Sequence, residues 1–540
     1  MPRRFGFRLA LILAVAGHLC AQKVPAKFRL SGKVVNAVNG HPLPGAELWF
    51  GKAEDFEATQ QKLLSGDDGA FAFNVTEPGK YLLHGAAIGF RRQGFEQHGM
   101  FVSAIVVGAG LNTENMLFRL RPDARVLGLI EDEDHEPIQG ATVYLFRTDA
   151  SFGLKHTYLA AQTVSNDSGR YRLPHLEPGF YYLVVSAAPW FSGLLQSADG
   201  AGNPSPSEKP EFDVAFPTTF YPGVTDLDSA SQIALNEGQD FTADFVLNSV
   251  PALRVRVNDV NGDPQNPTTP TLQQKVFGTE INHPWLRQIQ VENSVEIRGV
   301  PPGNYVLEID SMPSRDPNRR SERALPLHLT ADTEVDPESA SAVVPIHAMV
   351  RMEGGGSLKE EVFVKLWNGR TDELLDSQTG DKGQMQFEAD ILTPGIYSVY
   401  AMTGQNSIVS SLKATGAQVA GQTIQITGGK PVELEIELSS ALSGIGGTAR
   451  RDGKPVAGAM ILLVPEDPDI NLPKFRRDQS DSDGTFTMFD VVPGRYRMLA
   501  IDDAWDLEWG NASLLKKRLE HAEKIEVQPN KTYKIVLTVE

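Results

Sequence analysis

The sequence predicts an all-β protein of about five antiparallel β-sandwich units in tandem, with one short helix near the carboxyl end. Three observations carry this. A Pro-Gly-x-Tyr step occurs five times, at Pro78 (PGKY), Pro178 (PGFY), Pro302 (PGNY), Pro394 (PGIY) and Pro493 (PGRY), at intervals of 100, 124, 92 and 99 residues. A polar turn closing on glycine precedes four of these steps: GDDGAFAF from Gly66, NDSGRYRL from Asn166, GDKGQMQF from Gly380 and DSDGTFTM from Asp481. A Gly-Ala step leading into a β-rich run opens three copies, in PLPGAELWF from Pro42, PIQGATVYLF from Pro137 and KPVAGAMILLV from Lys454.

Each landmark has a physical reading. Asp and Asn tolerate turn geometry, and glycine supplies the positive φ that closes a hairpin. Phe71 and Phe73, Tyr171 and Leu173, and Phe486 and Met488 then share one face at the strand's period of two. The Pro-Gly pair fits a type II turn, with proline at its second position and glycine at its third. The tyrosine that follows (Tyr81, Tyr181, Tyr305, Tyr397, Tyr496) re-enters a strand, its ring on the core and its hydroxyl in reach of backbone at the corner. A strand precedes each Gly-Ala step (RLSGKVVN, RVLGLIED, LSGIGGTAR), and a closing strand such as ENMLFRL or YKIVLTVE ends a unit. About seven short strands in about 90–100 residues is the arithmetic of a sandwich. The units are placed at 27–121, 122–250, 251–342, 343–440 and 441–540, and short junctions predict a stiff overall shape. Trp49, Trp285 and Trp367 lie in or beside strand patterns and read as core. The helix is placed over Ala512–Ala522, with Ser513 as its cap and leucines at 514, 515 and 519.

The amino terminus carries Arg3, Arg4 and Arg8 ahead of an apolar run, Leu9 to Ala16, too short to span a bilayer. That is the layout of a secretory signal, residues 1–21, cut near Ala21. The single cysteine, Cys20, offers lipidation as an alternative, although Gly17, His18 and Leu19 suit such processing poorly. Cleavage after Ala21 leaves no thiol, which excludes disulfides and cysteine catalysis. No later stretch is apolar for long enough to cross a membrane, so the chain is expected to be exported: periplasmic, in the cell envelope or extracellular. Its 68 acidic residues against 50 basic ones give a formal charge of −18. So acidic a surface repels phosphate backbones and argues against nucleic acid as a partner.

Taken together, the landmarks resemble the carboxypeptidase regulatory-like family, part of a wider group of transthyretin-like (prealbumin) or carbohydrate-binding-like, Ig-like sandwiches. The resemblance is strongest in the first, second and fifth units. The fourth has EEVFVKLWN in place of the Gly-Ala step, and the third keeps only LRVRVNDVNG and VEIRGVPPGNYVLEID. Every matching position is a turn or core residue, so the likeness specifies fold. Family members serve as accessory modules on peptidases, in adhesins, in outer-membrane transporters and in glycan-binding proteins. The resemblance therefore implies a binding, scaffolding or accessory role, with polysaccharide or envelope proteins as partners.

The sequence does not support catalysis. A zinc carboxypeptidase needs a His-x-x-Glu pair, and none of the eleven histidines has Glu three residues on. No His-Glu-x-x-His, Gly-x-Ser-x-Gly or Walker-type loop occurs, and "MEGGGSLKEE" lacks the Gly-Lys-Ser/Thr ending that holds phosphate. No cofactor or metal site is expected. The aspartates beside the hairpin glycines (Asp67, Asp68, Asp167, Asp481, Asp483) suit turn capping better than calcium.

Two insertions exceed what a sandwich needs. Residues 186–224 carry Trp190, Phe191 and Tyr221 in a Pro-, Ser- and Gly-rich context, and IDDAWDLEWGNAS carries Trp505 and Trp509. Aromatic loop residues beside Asp and Asn suit sugar stacking with hydrogen bonding. These five residues are the candidate ligand-binding set. The alternative use of the same rings is to pack a loop on its own sandwich or to seal a junction between units.

Overall fold

The computed structural model describes residues 28–540 except 190–212, 259, 261–267, 312–320, 357, 359–360, 370–371, 379–383, 392–393, 405 and 429. The secretory signal read over residues 1–21 lies outside them. Strands dominate, and among the described residues no helix is long and apolar enough to cross a membrane.

In the first unit, strand Phe28–Asn36 pairs antiparallel with Ala70–Val75 and parallel with Met116–Leu120. The facing layer runs Gln61–Leu64, Glu47–Lys52, Gly79–Ala87 and Phe90–Gly94. Alternation in Ala70–Val75 buries Phe71, Phe73 and Val75 and leaves the residues between them exposed. Phe50 lies stacked between Phe73 and Tyr81, each 4.9 Å away.

The scheme recurs. The opening strands Ala124–Asp132, Leu253–Val257, Val344–Met352 and Ser443–Arg451 each have an antiparallel neighbour and a parallel closing strand. The sandwiches are therefore antiparallel apart from this pairing, because the closing strand crosses from the opposite layer and enters from the same end as the opening strand. The fourth unit differs again. Its strand Asp372–Gln378 pairs with Phe363–Trp367 in one layer and with Gln384–Ile391 in the other, so nine strands form one continuous wrapped sheet.

The repeated landmarks resolve into shared contacts. Gly69, Gly169 and Gly484 hold φ of 74°, 68° and 78°. A Cβ there would stand 2.4 to 2.6 Å from the carbonyl of Val34, Ile130 or Ala449 on the opening strand. The Pro-Gly step is not the type II turn the sequence suggested. Gly79, Gly179, Gly303 and Gly494 have φ of 154–159°, nearly extended, where a type II turn needs about +80°. Each begins a strand instead. The corner is made by the tyrosine: Tyr81, Tyr181, Tyr305 and Tyr496 each donate their hydroxyl to the carbonyl four residues back, at 2.7–2.9 Å. All five corner tyrosines, Tyr397 included, are buried.

The helix spans Ala512–His521, one residue shorter than expected, and its cap is Asn511, whose side chain accepts from the Ser513 amide at 3.2 Å. Ser513 is one position too late to be the cap. A single turn at Phe56–Thr59 adds a second, very short helix.

Each unit has its own hydrophobic cluster, within residues 28–120, 124–247, 253–340, 344–442 and 445–539. Two further clusters cross units. One joins Tyr144, Phe146, Val184 and Phe220 to Val276 and Ile281. The other sets Trp367, with Leu154 and Tyr400 at its margin, against Met460, Leu462, Phe475 and Leu515. A fully buried side chain of this size stabilises by about 1.5–3 kcal/mol, so these seams are strong enough to fix one unit against the next.

Candidate functional site

The fifth unit folds back onto the first. Its segment 479–482 lies along residues 96–106, nearly four hundred positions away in the chain. The Asp481 carboxylate accepts from the Ala104 amide at 2.7 Å and pairs with Lys80. The Ser482 amide donates to Ala104 O at 3.0 Å, and the Ser482 hydroxyl accepts from the Val106 amide at 2.8 Å. Gln479 donates to Glu96 O and to the Ser103 hydroxyl, while its carbonyl meets His98 Nδ1 at 3.0 Å. Burial pushes Asp481 upward against the opposing pull of Lys80, and pushes His98 downward.

Neighbouring residues extend the contact to two more units. Arg476 is 4% exposed and has no carboxylate partner among the described residues. Its guanidinium donates to the carbonyls of Pro473, Phe475 and Asp490, and to Ser407 O of the fourth unit. Burial lowers its pKa to about 10. Gly510 N donates to Gly153 O of the second unit at 2.7 Å.

This folding-back surrounds a cleft of about 2060 Å³ lined by residues of all five units. Phe152, Phe180 and Met100 are each at least half exposed within it. Four of its cations are matched by acids. Arg91 and Arg147 both pair with Glu177, Arg121 pairs with Glu237, and Lys275 with Glu308. Burial alone would raise Asp149, but hydrogen bonds from Ser151 and Tyr158 and the charge of Arg147 hold it below the usual carboxylate range.

Arg477 is different. Its guanidinium lies 4.6 Å from the ring centre of Trp509, 5.1 Å from Phe101 and 5.9 Å from Trp505, and it donates to Ser151 O at 3.1 Å. No carboxylate among the described residues is in ion-pair reach of it, or of Lys155, although Asp503, Asp506 and Glu508 also line the cleft. Burial lowers Arg477 to about 10. Two ring nitrogens, Nδ1 of the cleft residue His156 and Nε1 of Trp509 beside Arg477, are buried without a hydrogen-bond partner among the described residues.

Three of the five expected ligand aromatics, Trp505, Trp509 and Tyr221, are used at junctions and in a core. Trp505 stacks flat on His98 of the first unit, 4.8 Å away at 6°, and donates Nε1 to Gly458 O, yet its edge still lines the cleft. Trp509 packs on Phe475 and against Gly153 of the second unit. Tyr221 sits edge-on to Phe241 and Phe245 in its own sandwich. Trp190 and Phe191 lie outside the described residues. Trp49 and Trp367 are buried, Trp367 at a seam between units, whereas Trp285 is half-buried, edge-on to His283. The hairpin aspartates divide their work. Asp68 and Asp483 cap their own turns, and Asp481 holds the first unit.

Sequence reading missed the arginines of the cleft, Arg477 above all, and a serine that recurs four residues before the hairpin glycine. Ser65, Ser165 and Ser480 each donate to a carbonyl (Leu43, Ile138, Val456) and accept from the alanine amide of the Gly-Ala step. The Ser-x-x-x-Gly spacing at 65–69, 165–169 and 480–484 was the available signal.

The carboxypeptidase regulatory-like domain matches residues 125–190, within the second unit. No curated protein matches the chain. Similar solved structures include the Bacillus anthracis TIE protein, 9% identical over 96% of this chain and 76% of that one, TM-score 0.16. GBS52, the minor pilin of Streptococcus agalactiae, is 13% identical over 41% and 96%, TM-score 0.21. BcpA, the major pilin subunit of Bacillus cereus, is 11% identical over 77% and 99%, TM-score 0.13. The molecule's own sheets make it a multidomain β-sandwich protein. Its second unit carries a carboxypeptidase regulatory-like domain.

Proposed function

We propose that this is an exported, non-enzymatic binding protein of the cell envelope or its exterior, and that the cleft between its five units takes a carbohydrate chain. One observation carries the reading: half-exposed rings, and two cations with no carboxylate partner among the described residues, line a cleft that no single unit could form. Ring faces stack on sugars, while fixed polar groups set register. The family resemblance, which includes glycan-binding members, points the same way.

The test is a glycan array run with the mature protein beside an envelope pull-down. Binding of a polysaccharide that weakens in Phe152→Ala and Phe180→Ala supports the reading. Retention of envelope proteins alone favours the scaffold reading, for which the closed arrangement of units is the supporting observation. Turnover of a peptide or glycoside panel would contradict both.

A further inference from the structure

We infer that the cleft selects a saccharide bearing sparse carboxylates, a uronate-containing oligosaccharide, and that Arg477 with Lys155 receives the carboxylate. The inference rests on the carbohydrate reading above and narrows it to a class.

The balance of charge points to it. Four of the lining cations are ion-paired, Arg91 and Arg147 with Glu177 and Asp149, Arg121 with Glu237 and Lys275 with Glu308; Asp503, Asp506 and Glu508 also line the cleft, yet Arg477 and Lys155 have no carboxylate of the described residues in ion-pair reach. A partly desolvated guanidinium is costly to leave unpaired. The three rings around Arg477 hold the plane of the group, and its bond to Ser151 O occupies one of five N–H donors. The other N–H donors of the group make no further hydrogen bond among the described residues, and a guanidinium's planar fork matches a carboxylate bidentately. Asp149, in the same cleft, is committed to Ser151, Tyr158 and Arg147.

The rest of the lining favours sugar over an acidic peptide: Asn236, Thr157, Thr279 and Thr427 line the cleft together with the exposed rings, a mixture suited to hydroxyl-rich rings. The whole chain carries −18, and exposed charges act over about 8 Å at physiological salt. A densely charged polymer would meet that repulsion all along its length, whereas an isolated carboxylate reaching two free cations would not.

The experiment is isothermal titration calorimetry of the mature protein with a short galacturonate oligosaccharide, its carboxyl-reduced neutral counterpart, heparin and an oligoglutamate peptide. The expected result is about tenfold tighter binding of the uronate than of its neutral counterpart, with heparin and oligoglutamate weaker than both. Lys155→Gln, on an exposed side chain, should remove much of that preference, weakening the uronate more than its neutral counterpart. Arg477→Gln should remove it fully. If Arg477→Gln does not fold, Lys155→Gln still decides. Equal affinity for the acidic and neutral sugars overturns this inference while the carbohydrate reading stands. Tighter binding of heparin or oligoglutamate overturns the choice of ligand class. Binding of none of the four overturns both.

Discussion

Ser480 illustrates how single side chains hold this architecture. Its hydroxyl donates to Val456 O at 2.7 Å and accepts from the Ala459 amide at 3.0 Å, joining the hairpin to the Gly-Ala step. Ser480→Ala leaves two buried backbone groups unmatched and should destabilise the fifth unit by about 1–3 kcal/mol, read as an earlier urea transition of the full chain. Asp478 supplies a pH-dependent counterpart. Burial, with Asp481 close by, pushes it up to about 6, although the Thr487 amide and Lys80 pull it down. Its folded value stands above the unfolded one. Its contribution therefore favours the fold fully below about pH 4 and is lost as pH rises through about 6. Asp478→Asn should raise stability at pH 7.5 relative to the parent, and the difference should vanish by about pH 3. Thermal melts at the two pH values measure it. Neither role was visible in the sequence, because each depends on what a fold packs beside the residue. The corner tyrosines were legible, since a ring at a fixed offset from Pro-Gly has one place to go.

At the scale of elements, the hairpin glycines can be graded. Gly484 has φ 78° and a Cβ there would stand 2.6 Å from Ala449 O, whereas Gly453 has φ 76° with open space around it. Gly453→Ala should cost about 1 kcal/mol for the backbone conformation alone. Gly484→Ala should cost clearly more, because the opening strand must also shift. Equal midpoints for the two variants in urea would contradict the packing account. Strand positions were legible through alternation and turn chemistry. The parallel closing pair and the continuous sheet of the fourth unit were not, because periodicity records which face a residue takes and not which strand lies beside it. The Pro-Gly step was misread as a turn for a related reason: the local chemistry permits a type II turn, and the tyrosine hydroxyl bond selects an extended entry instead.

The arrangement of the whole molecule was the least legible level. A tandem repeat suggests a row in which each unit meets only its neighbours. Here the fifth unit meets the first, second and fourth, and residues near 480 serve at once as hairpin and as clasp. The sequence offers no sign of this, since DSDG in the fifth unit looks like GDDG in the first. The candidate ligand residues follow the same pattern. Trp505 and Trp509 were found as loop aromatics, but their role at the junctions, and the arginine between them, arise only from the closure. Arg476 is a further consequence. Arg476→Met strands several carbonyls and should loosen the fourth unit from the fifth by about 2 kcal/mol or more, seen as faster hydrogen exchange around Ser407 and Asp490. The closure itself is tested most directly by zero-length carbodiimide cross-linking of the monomeric protein, followed by peptide mass spectrometry. A bond between Lys80 and Asp481, whose charged atoms lie 2.5 Å apart, is the predicted product. Cross-links confined to single units and to chain neighbours, with none between the first unit and the fifth, would contradict it.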